Sequence, residues 1–406
     1  MSTQYATSKD LKNISTRTLT NNAALWLNGL ILLGFLAAST APSPLYGIYR
    51  DAWGFSPLTL TVIFSSYALA LLAALLTLGA LSNYRGRREV ILVALVIEAA
   101  AMLLFWAADS VSWLVAARIL QGIATGMATS VLAAALIDLH PQRGALINAV
   151  APMIGLATGA LGTAVLVQWA PAPTHLIYIV LLGSFAVLGV GAFYLPETTT
   201  RRSGALSSLK PRFAVPPAAR AMMWKIVPLN TAQWALGGFY FSLGPSVAQM
   251  VTGYTSVLIG GALIAVLNSS AAIGIGFNRQ RDPHNALATA SVALAVGISM
   301  TLAGMELNAP VLLFLGAAVS GFSFGTTLIS SIRSLVPLAS PAERAGLMSA
   351  FYVLSYLAFS LPVIVLGWFA SRYGLTQTTA GYGLVLILMA LAASLALKLR
   401  VPVSAA

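Results

Sequence analysis

Gly79-Ala80-Leu81-Ser82-Asn83-Tyr84-Arg85-Gly86-Arg87-Arg88 is a short basic turn set between two long apolar blocks. Residues 57–78 before it carry no charge, and residues 90–106 after it carry only Glu98. An α-helix that crosses a bilayer needs about 20 mostly apolar residues. The stretch therefore reads as a hairpin of two spanning helices joined at a membrane face. Gly79 and Gly86 allow a tight turn and close helix approach. The arginines can hold the turn at an anionic leaflet and bond helix-end carbonyls.

The same pattern extends in both directions. Of the 406 residues, 58% are hydrophobic and 8% charged, whereas a soluble domain carries roughly 25% charged residues. Such a chain cannot clothe itself in a wetted polar surface, so its partner over most of its area is the lipid bilayer. The apolar residues come in long runs rather than the ~10-residue alternation of a membrane β-barrel. The absence of cysteine excludes disulfides, iron–sulfur clusters and thiolate metal sites. No metal and no cofactor is expected. The net charge of +12 does not point to nucleic acid, because the basic residues gather in alternate loops as orientation signals do.

Spanning helices are expected at about 24–48, 57–82, 89–108, 111–137, 143–169, 174–195, 225–250, 255–277, 285–304, 309–334, 343–370 and 377–397. The pattern is weakest in the eighth and ninth, which Gly and polar residues dilute. With the N-terminus inside, 19 Lys and Arg residues fall on the inner side, Arg50 and Arg372 fall outside, and Arg118 lies within a helix, accounting for all 22. The asymmetry implies an even number of crossings with both termini cytoplasmic. Residues 1–23 and 399–406 then form cytoplasmic tails. Residues 196–224, with Arg201, Arg202, Pro211, Pro216 and Pro217, form a cytoplasmic linker between bundles at 24–195 and 225–398. The halves echo each other: Gly122 and Gly126 recur as Gly321 and Gly325 at an offset of 199. Pro141, Arg143 and Leu146 are followed at offsets of 200 to 201 by Pro341, Arg344 and Leu347. Parallel repeats of half a chain characterise one large transporter architecture.

The basic turn resembles the signature of the major facilitator superfamily, Gly-x-Leu-Ala-Asp-Arg-x-Gly-Arg-Arg/Lys. Gly79, Leu81, Gly86, Arg87 and Arg88 match; Asn83 replaces the usual Asp, and Tyr84 the usual Arg. In that family the carboxylate contributes to a latch between the halves, so its loss here weakens the expected gating motif. Arg118-Ile119-Leu120-Gln121-Gly122 is similar to the Arg-x-x-Gln-Gly signature of helix 4 in proton-coupled members. Pro152, Gly155, Gly159 and Gly162 resemble the antiporter signature of helix 5, with Ala160 where Pro is usual and Thr163 where the last Gly is usual. The resemblance implies twelve transmembrane helices in two pseudo-symmetric six-helix bundles, alternating access, a bacterial inner-membrane location and a monomer. It also implies secondary transport of a small-molecule substrate, with proton-coupled efflux by antiport as the leading expectation. Uptake by symport and facilitated diffusion on the same fold are the alternatives.

Two charges lie deep in the expected helices. Glu98 is about 13 Å from the inner end of helix 3, and Arg118 about 10 Å from the outer end of helix 4, at 1.5 Å per residue. In a ~30 Å core their heights differ by about 6 Å, so the expectation is a direct pair or a shared water-filled pocket. A proton carrier tuned by Arg118 and a static ion pair both fit this reading. Helix 1 contains no acidic residue, unlike many drug antiporters of the family, and Pro42 and Pro44 should kink its outer end. In the family, helices 1, 4, 7 and 10 line the cavity. The candidates there are Asn28, Gln121, Asn230, Gln233, Trp234, Tyr240 and Arg333, with Asn268 on helix 8. Asn230, Gln233 and Trp234 share one helical face, and an amide-and-aromatic wall suits an amphipathic substrate. A membrane-embedded enzyme is the remote alternative. It would need clustered nucleophiles or carboxylates, whereas His140, His175 and His284 are dispersed in loops.

Overall fold

A computed structural model describes residues 18–211 and 213–398. The tail assignments for residues 1–17 and 399–406, with Lys9, Lys12, Arg17 and Arg400, lie outside the described residues, as does Arg212. All regular structure among the described residues is helical, and twelve long helices account for most of it: α1 (Asn21–Thr40), α2 (Pro57–Leu78), α3 (Arg87–Trp106), α4 (Val111–Leu139), α5 (Pro141–Trp169), α6 (Leu176–Ala192), α7 (Pro217–Ser242), α8 (Val257–Asn278), α9 (Pro283–Glu306), α10 (Pro310–Leu335), α11 (Arg344–Tyr373) and α12 (Leu375–Lys398). Ten are long and apolar enough to cross a membrane. α6 is apolar but has 17 residues, about 26 Å of helix. α7 has the length but is diluted by Arg220, Lys225, Asn230 and Gln233. α8 and α9, the two with the weakest pattern, form without interruption.

Local chemistry sets the helix starts. Ser56 Oγ accepts from Thr59 N at 3.2 Å, with Pro57 in the first helical position. Asp282 Oδ1 accepts from Asn285 N at 2.8 Å, again with a proline next, Pro283. Both satisfy otherwise orphaned N–H groups. Helix 1 departs from the expected span of 24–48. It stops at Thr40, turns through residues 41–45, and resumes as a short helix over Tyr46–Trp53. Pro42 and Pro44 have no N–H to continue the ladder. The end of α7 is interrupted in the same way: a second short helix, Gly244–Thr252, begins at Gly244-Pro245.

The packing repeats. α1 rests on α4, α5 and α6 as α7 rests on α10, α11 and α12, and α3 contacts α4 and α6 as α9 contacts α10 and α12. The repeated glycines hold equivalent crossings. A Cβ on Gly122 or Gly126 would meet the backbone of α2 at Tyr67 or Leu71, and one on Gly321 or Gly325 would meet the backbone of α8 at Leu267 or Ala271. Small residues let membrane helices approach to dispersion contact. The two bundles meet chiefly through α5 with α8 and α2 with α11. Gly261 on α8 sits against Ala160 and Ala164, and Gly367 on α11 against Thr61.

Hydrogen bonds between the bundles lie toward the face opposite the basic turn. Ser65 Oγ donates to Ser360 O (3.1 Å), and Leu58 N to Ser371 Oγ (3.2 Å). Ser256 Oγ donates to Gln168 Oε1 (2.9 Å), and Arg50 Nη1 to Ser246 Oγ (3.4 Å). The bundles are thus fastened together on that face.

Candidate functional site

The break in α1 creates the acceptors for a buried polar cluster. In a continuous helix the carbonyl of Ala38 would bond the N–H of residue 42, but that residue is proline. Ser43 N turns to Thr40 O at 3.0 Å, which also frees the carbonyl of Ser39. Side chains of α4 take up both carbonyls. Gln121 Nε2 donates to Ala38 O at 3.0 Å. Arg118 Nη1 donates to Ser39 O at 2.7 Å, and Arg118 Nε to the Tyr46 hydroxyl at 2.7 Å.

Gln121 connects the two charges. Its Oε1 accepts from Arg118 Nη1 (2.9 Å), and its Nε2 donates to Glu98 Oε1 (3.2 Å). Glu98, Arg118 and Gln121 are all fully buried. Of the two expectations, a direct pair or a shared pocket, the direct pair is therefore corrected: Glu98 and Arg118 form no ion pair, and an amide stands between them. The reason is steric and electrostatic at once. Arg118 lies among rings, its guanidinium carbon 5.4 Å from the centres of Tyr46 and Tyr67 and 5.7 Å from Phe105, close enough for cation–π attraction. Glu98 Oε2 and Arg118 Nη2 have no hydrogen-bond partner.

The remaining candidates fall into separate groups. Asn230 Nδ2 donates to Ser355 Oγ on α11 (2.9 Å), and Gln233 Nε2 to Ser323 Oγ on α10, with Thr327 Oγ1 at 3.4 Å. Trp234 lies 5.0–5.8 Å, centre to centre, from Phe324, Tyr356 and Phe359. These three candidates thus share the α7–α10–α11 junction. Asn28 and Asn268 each donate within their own helices, to Ala24 O and Ile264 O, both at 2.8 Å. Tyr240 is buried against α9, its hydroxyl 2.7 Å from Thr301 Oγ1. Arg333 donates to Asn278 O (3.2 Å) and Arg281 O (2.6 Å), capping the end of α8. Tyr240 and Arg333 therefore join helices and do not meet the Trp234 group. In the α5 seam, Gly155 and Gly159 press on the backbone of α1 at Leu33 and Ala37, and Thr40 Oγ1 bonds Leu156 O at 3.0 Å. Pro152 is a partly exposed proline inside α5. A Cβ on Gly162 would meet nothing, so Gly162 takes no part in the seam.

At the basic turn, Arg87 bonds Ser82 Oγ (2.6 Å), Asn83 Oδ1 (2.8 Å) and Asp138 Oδ2 (3.2 Å). Gly79 lies close to the carbonyl of Leu75 and the hydroxyl of Ser130, and Leu81 is partly buried. Gly86 has φ +103 and backs onto Glu197, a conformation and a contact that exclude a side chain. The Glu197 carboxylate accepts from Arg87 N (2.7 Å) and Arg88 N (3.2 Å) at the start of α3, where the helix dipole favours an anion. Arg88 Nη1 bonds Phe193 O at 3.2 Å. Sequence reasoning missed Asp138 and Glu197. The surplus of positive charge at a turn containing no acid was a signal that acids from elsewhere must arrive.

The family model described as Major Facilitator Superfamily matches residues 27–358. The chain belongs to the Major Facilitator Superfamily. It is 24% identical over 351 residues to the multidrug resistance protein MdtL of Klebsiella pneumoniae (strain 342), covering 82% of this chain and 84% of that one. Among solved structures it is similar to a bacterial homologue of the human lysosomal transporter Spinster in an inward-facing, occupied conformation. The TM-score is 0.72 at 15% identity, covering 92% of this chain and 96% of that one. It is also similar to the nucleoside transporter NupG, with TM-score 0.68 at 14% identity, covering 93% and 100%. At such identities the structures speak for the fold alone. As a member of this superfamily the chain is a multi-pass membrane transporter built as two pseudo-symmetric bundles, and not an enzyme.

Proposed function

We propose that the protein exports a small organic molecule across a bacterial inner membrane in exchange for protons, by alternating access. One observation carries the reading. Glu98 is the sole buried acid among the described residues, and it is joined through Gln121 to a buried arginine and to the broken end of α1. A charge inside the bilayer costs several kcal/mol and marks a functional site by default. Taking up a proton at Glu98 removes the negative charge that faces Arg118, and releasing it restores that charge. The same two α4 side chains hold the carbonyls of Ala38 and Ser39, so the protonation state of Glu98 is linked to the hold on α1. The multidrug resistance name of the MdtL relative supports export.

In this reading both termini are cytoplasmic, as the distribution of Lys and Arg favours. The bundles expected at 24–195 and 225–398 act as the two rocking units, with the linker shortened from 196–224 to 196–216 because α7 already starts at Pro217. The hydrogen bonds between the bundles then close the outer face, and the molecule opens inward. The Gly79–Arg88 turn contributes to gating, with Arg87 held by Asp138 and Glu197 in place of a latch through residue 83. The protein works as a monomer.

Proton flux in liposomes tests the proposal, using a trapped pH-sensitive dye and an imposed gradient. The expected result is substrate-dependent proton movement opposite to the substrate, abolished in Glu98→Gln while that variant still folds and reaches the membrane. Substrate movement without proton flux would replace antiport by facilitated diffusion, and movement of both in one direction would replace it by symport.

A further inference from the structure

Among the described residues, the buried formal charge of the spanning helices lies in the N-terminal bundle, on Glu98 and Arg118 and, at the start of α3, Arg87. The junction of α7, α10 and α11 is built differently. Its polar groups are neutral: Asn230, Gln233, Ser323, Thr327 and Ser355, all buried. Its apolar groups are rings. Trp234 lies against Phe324, Tyr356 and Phe359, and each of these four keeps part of its surface exposed. Tyr67 and Leu71 of α2 pack onto Tyr356 and Phe359. The ring cluster therefore spans the boundary between the bundles, the seam that alternating access would open.

One polar atom at this place is unspent. Asn230 is 2% exposed, and its Nδ2 is bonded to Ser355, but its Oδ1 has no partner. A buried amide oxygen left without a donor costs free energy. Asn230 and Trp234 are one helical turn apart on the same face. A carbonyl acceptor thus stands beside a ring face, with no charged side chain bonded into the group.

On the reading that this chain is a carrier, we infer that its substrate site is the Asn230–Trp234 face of α7. We infer further that the site takes an uncharged planar aromatic molecule carrying an N–H or O–H donor on its edge. The ring lies among Trp234, Phe324, Tyr356 and Phe359, where offset or edge-to-face contact is favourable, and the edge donor bonds Asn230 Oδ1. An organic cation is disfavoured because no carboxylate stands at this junction to replace its hydration. The N-terminal bundle then handles the coupling charge and the C-terminal bundle recognises the cargo.

Three probes with one ring system test this: acridone (neutral, with an N–H), N-methylacridone (neutral, no donor) and N-methylacridinium (cationic). Equilibrium binding is measured on the full-length protein in nanodiscs, with empty nanodiscs subtracted. Acridone is expected to bind saturably, about tenfold tighter than N-methylacridone, as one buried hydrogen bond allows, and tighter than the cation. Asn230→Ala should bring acridone down to the affinity of N-methylacridone while leaving the latter unchanged. Trp234→Ala should weaken both neutral probes about tenfold, and Trp234→Phe should restore most of that loss. Tighter binding of the cation would overturn the inference. So would an acridone preference that survives Asn230→Ala, or equal affinities in the parent and a folded Trp234→Phe/Asn230→Ala double variant. Binding that passes these tests without proton flux would retain this site and remove antiport, whereas proton-coupled transport of other compounds without acridone binding would do the reverse.

Discussion

The α3–α4 pair of the first bundle and the α9–α10 pair of the second are the same two helices in the same register, filled in opposite ways. At the offset of 199 that relates Gly122 to Gly321, Glu98 corresponds to Gly297, Phe105 to Gly304, Arg118 to Ala317 and Gln121 to Ser320. In the first pair a carboxyl, an amide, a guanidinium and a ring occupy the space between the backbones. In the second a Cβ on Gly297 would meet Ser320, and one on Gly304 would meet the backbone of Leu313. Tyr240 and Thr301 supply the nearby polar contact, without charge. Duplicated helices thus became a charge site on one side and a tight structural seam on the other. Charge needs the helices held apart by large side chains, and a seam needs their removal.

The largest test of this contrast is to write the first bundle into the second. Gly297→Glu would place a carboxyl against Ser320 with no arginine in reach. Overpacking and an unpaired charge in the membrane together should cost about 4 kcal/mol or more, seen as loss of the monodisperse peak in size-exclusion chromatography. A folded Gly297→Glu protein would mean that the α9–α10 spacing is loose and the contrast false.

A smaller effect sharpens the other side. Arg118→Ala should cost about 3 kcal/mol, because it leaves the carbonyl of Ser39, the Tyr46 hydroxyl and Gln121 Oε1 without their donor and opens a cavity among the rings. Glu98→Gln alone should cost about 1 kcal/mol or less, because the amide still accepts from Gln121. The double variant should be more stable than the sum of the two predicts, by about 1 kcal/mol, as groups in one network are not additive. Thermal melts of the four proteins give the cycle. Strict additivity would show that Gln121 transmits nothing between the charges.

The smallest effects concern crossings that both bundles share. Gly159 on α5 backs onto α1, whereas at the equivalent crossing the glycine is Gly238, on α7, backing onto Phe359 of α11. Gly159→Ala and Gly238→Ala should each cost about 2 kcal/mol. Gly162→Ala, with open space around it, should change the melting temperature little and in the stabilising direction. A large loss in Gly162→Ala would restore that residue to the seam.

The fold was legible because bilayer physics writes long apolar blocks and places arginine on one side. The identity of the charged pair was legible too, since Glu98 and Arg118 interrupt those blocks. The partners of Arg118 were harder to read. Two are groups on α1 and the short helix after it, the carbonyl of Ser39 and the hydroxyl of Tyr46, some 70 to 80 positions away. A backbone carbonyl has no letter in the sequence. The one available clue was Pro42, whose missing N–H deprives Ala38 O of its usual helical donor four residues on. Tyr240 and Arg333 were assigned to the cavity from helix membership, which does not specify which way a side chain turns. For Arg333 the free carbonyls at the end of α8 offered a better-matched partner.

The clasp of Glu197 on the start of α3 has a consequence for the tether between the bundles. Arg202 N bonds Tyr84 O (3.0 Å), Arg201 pairs with Glu89 (3.0 Å), and Ala214 N reaches Gly346 O (3.3 Å). The chain is therefore bonded to the first bundle at residues 201 and 202, packs on α2 again at Ser207–Leu209, and is bonded to the second bundle at residue 214. Residues 203–213 lie between the two sets of hydrogen bonds, a leash of at most about 40 Å when drawn straight. So short a leash keeps each half within reach of the other at high effective concentration; under the proposed alternating access, re-docking would then be a local event, independent of how much protein the membrane holds.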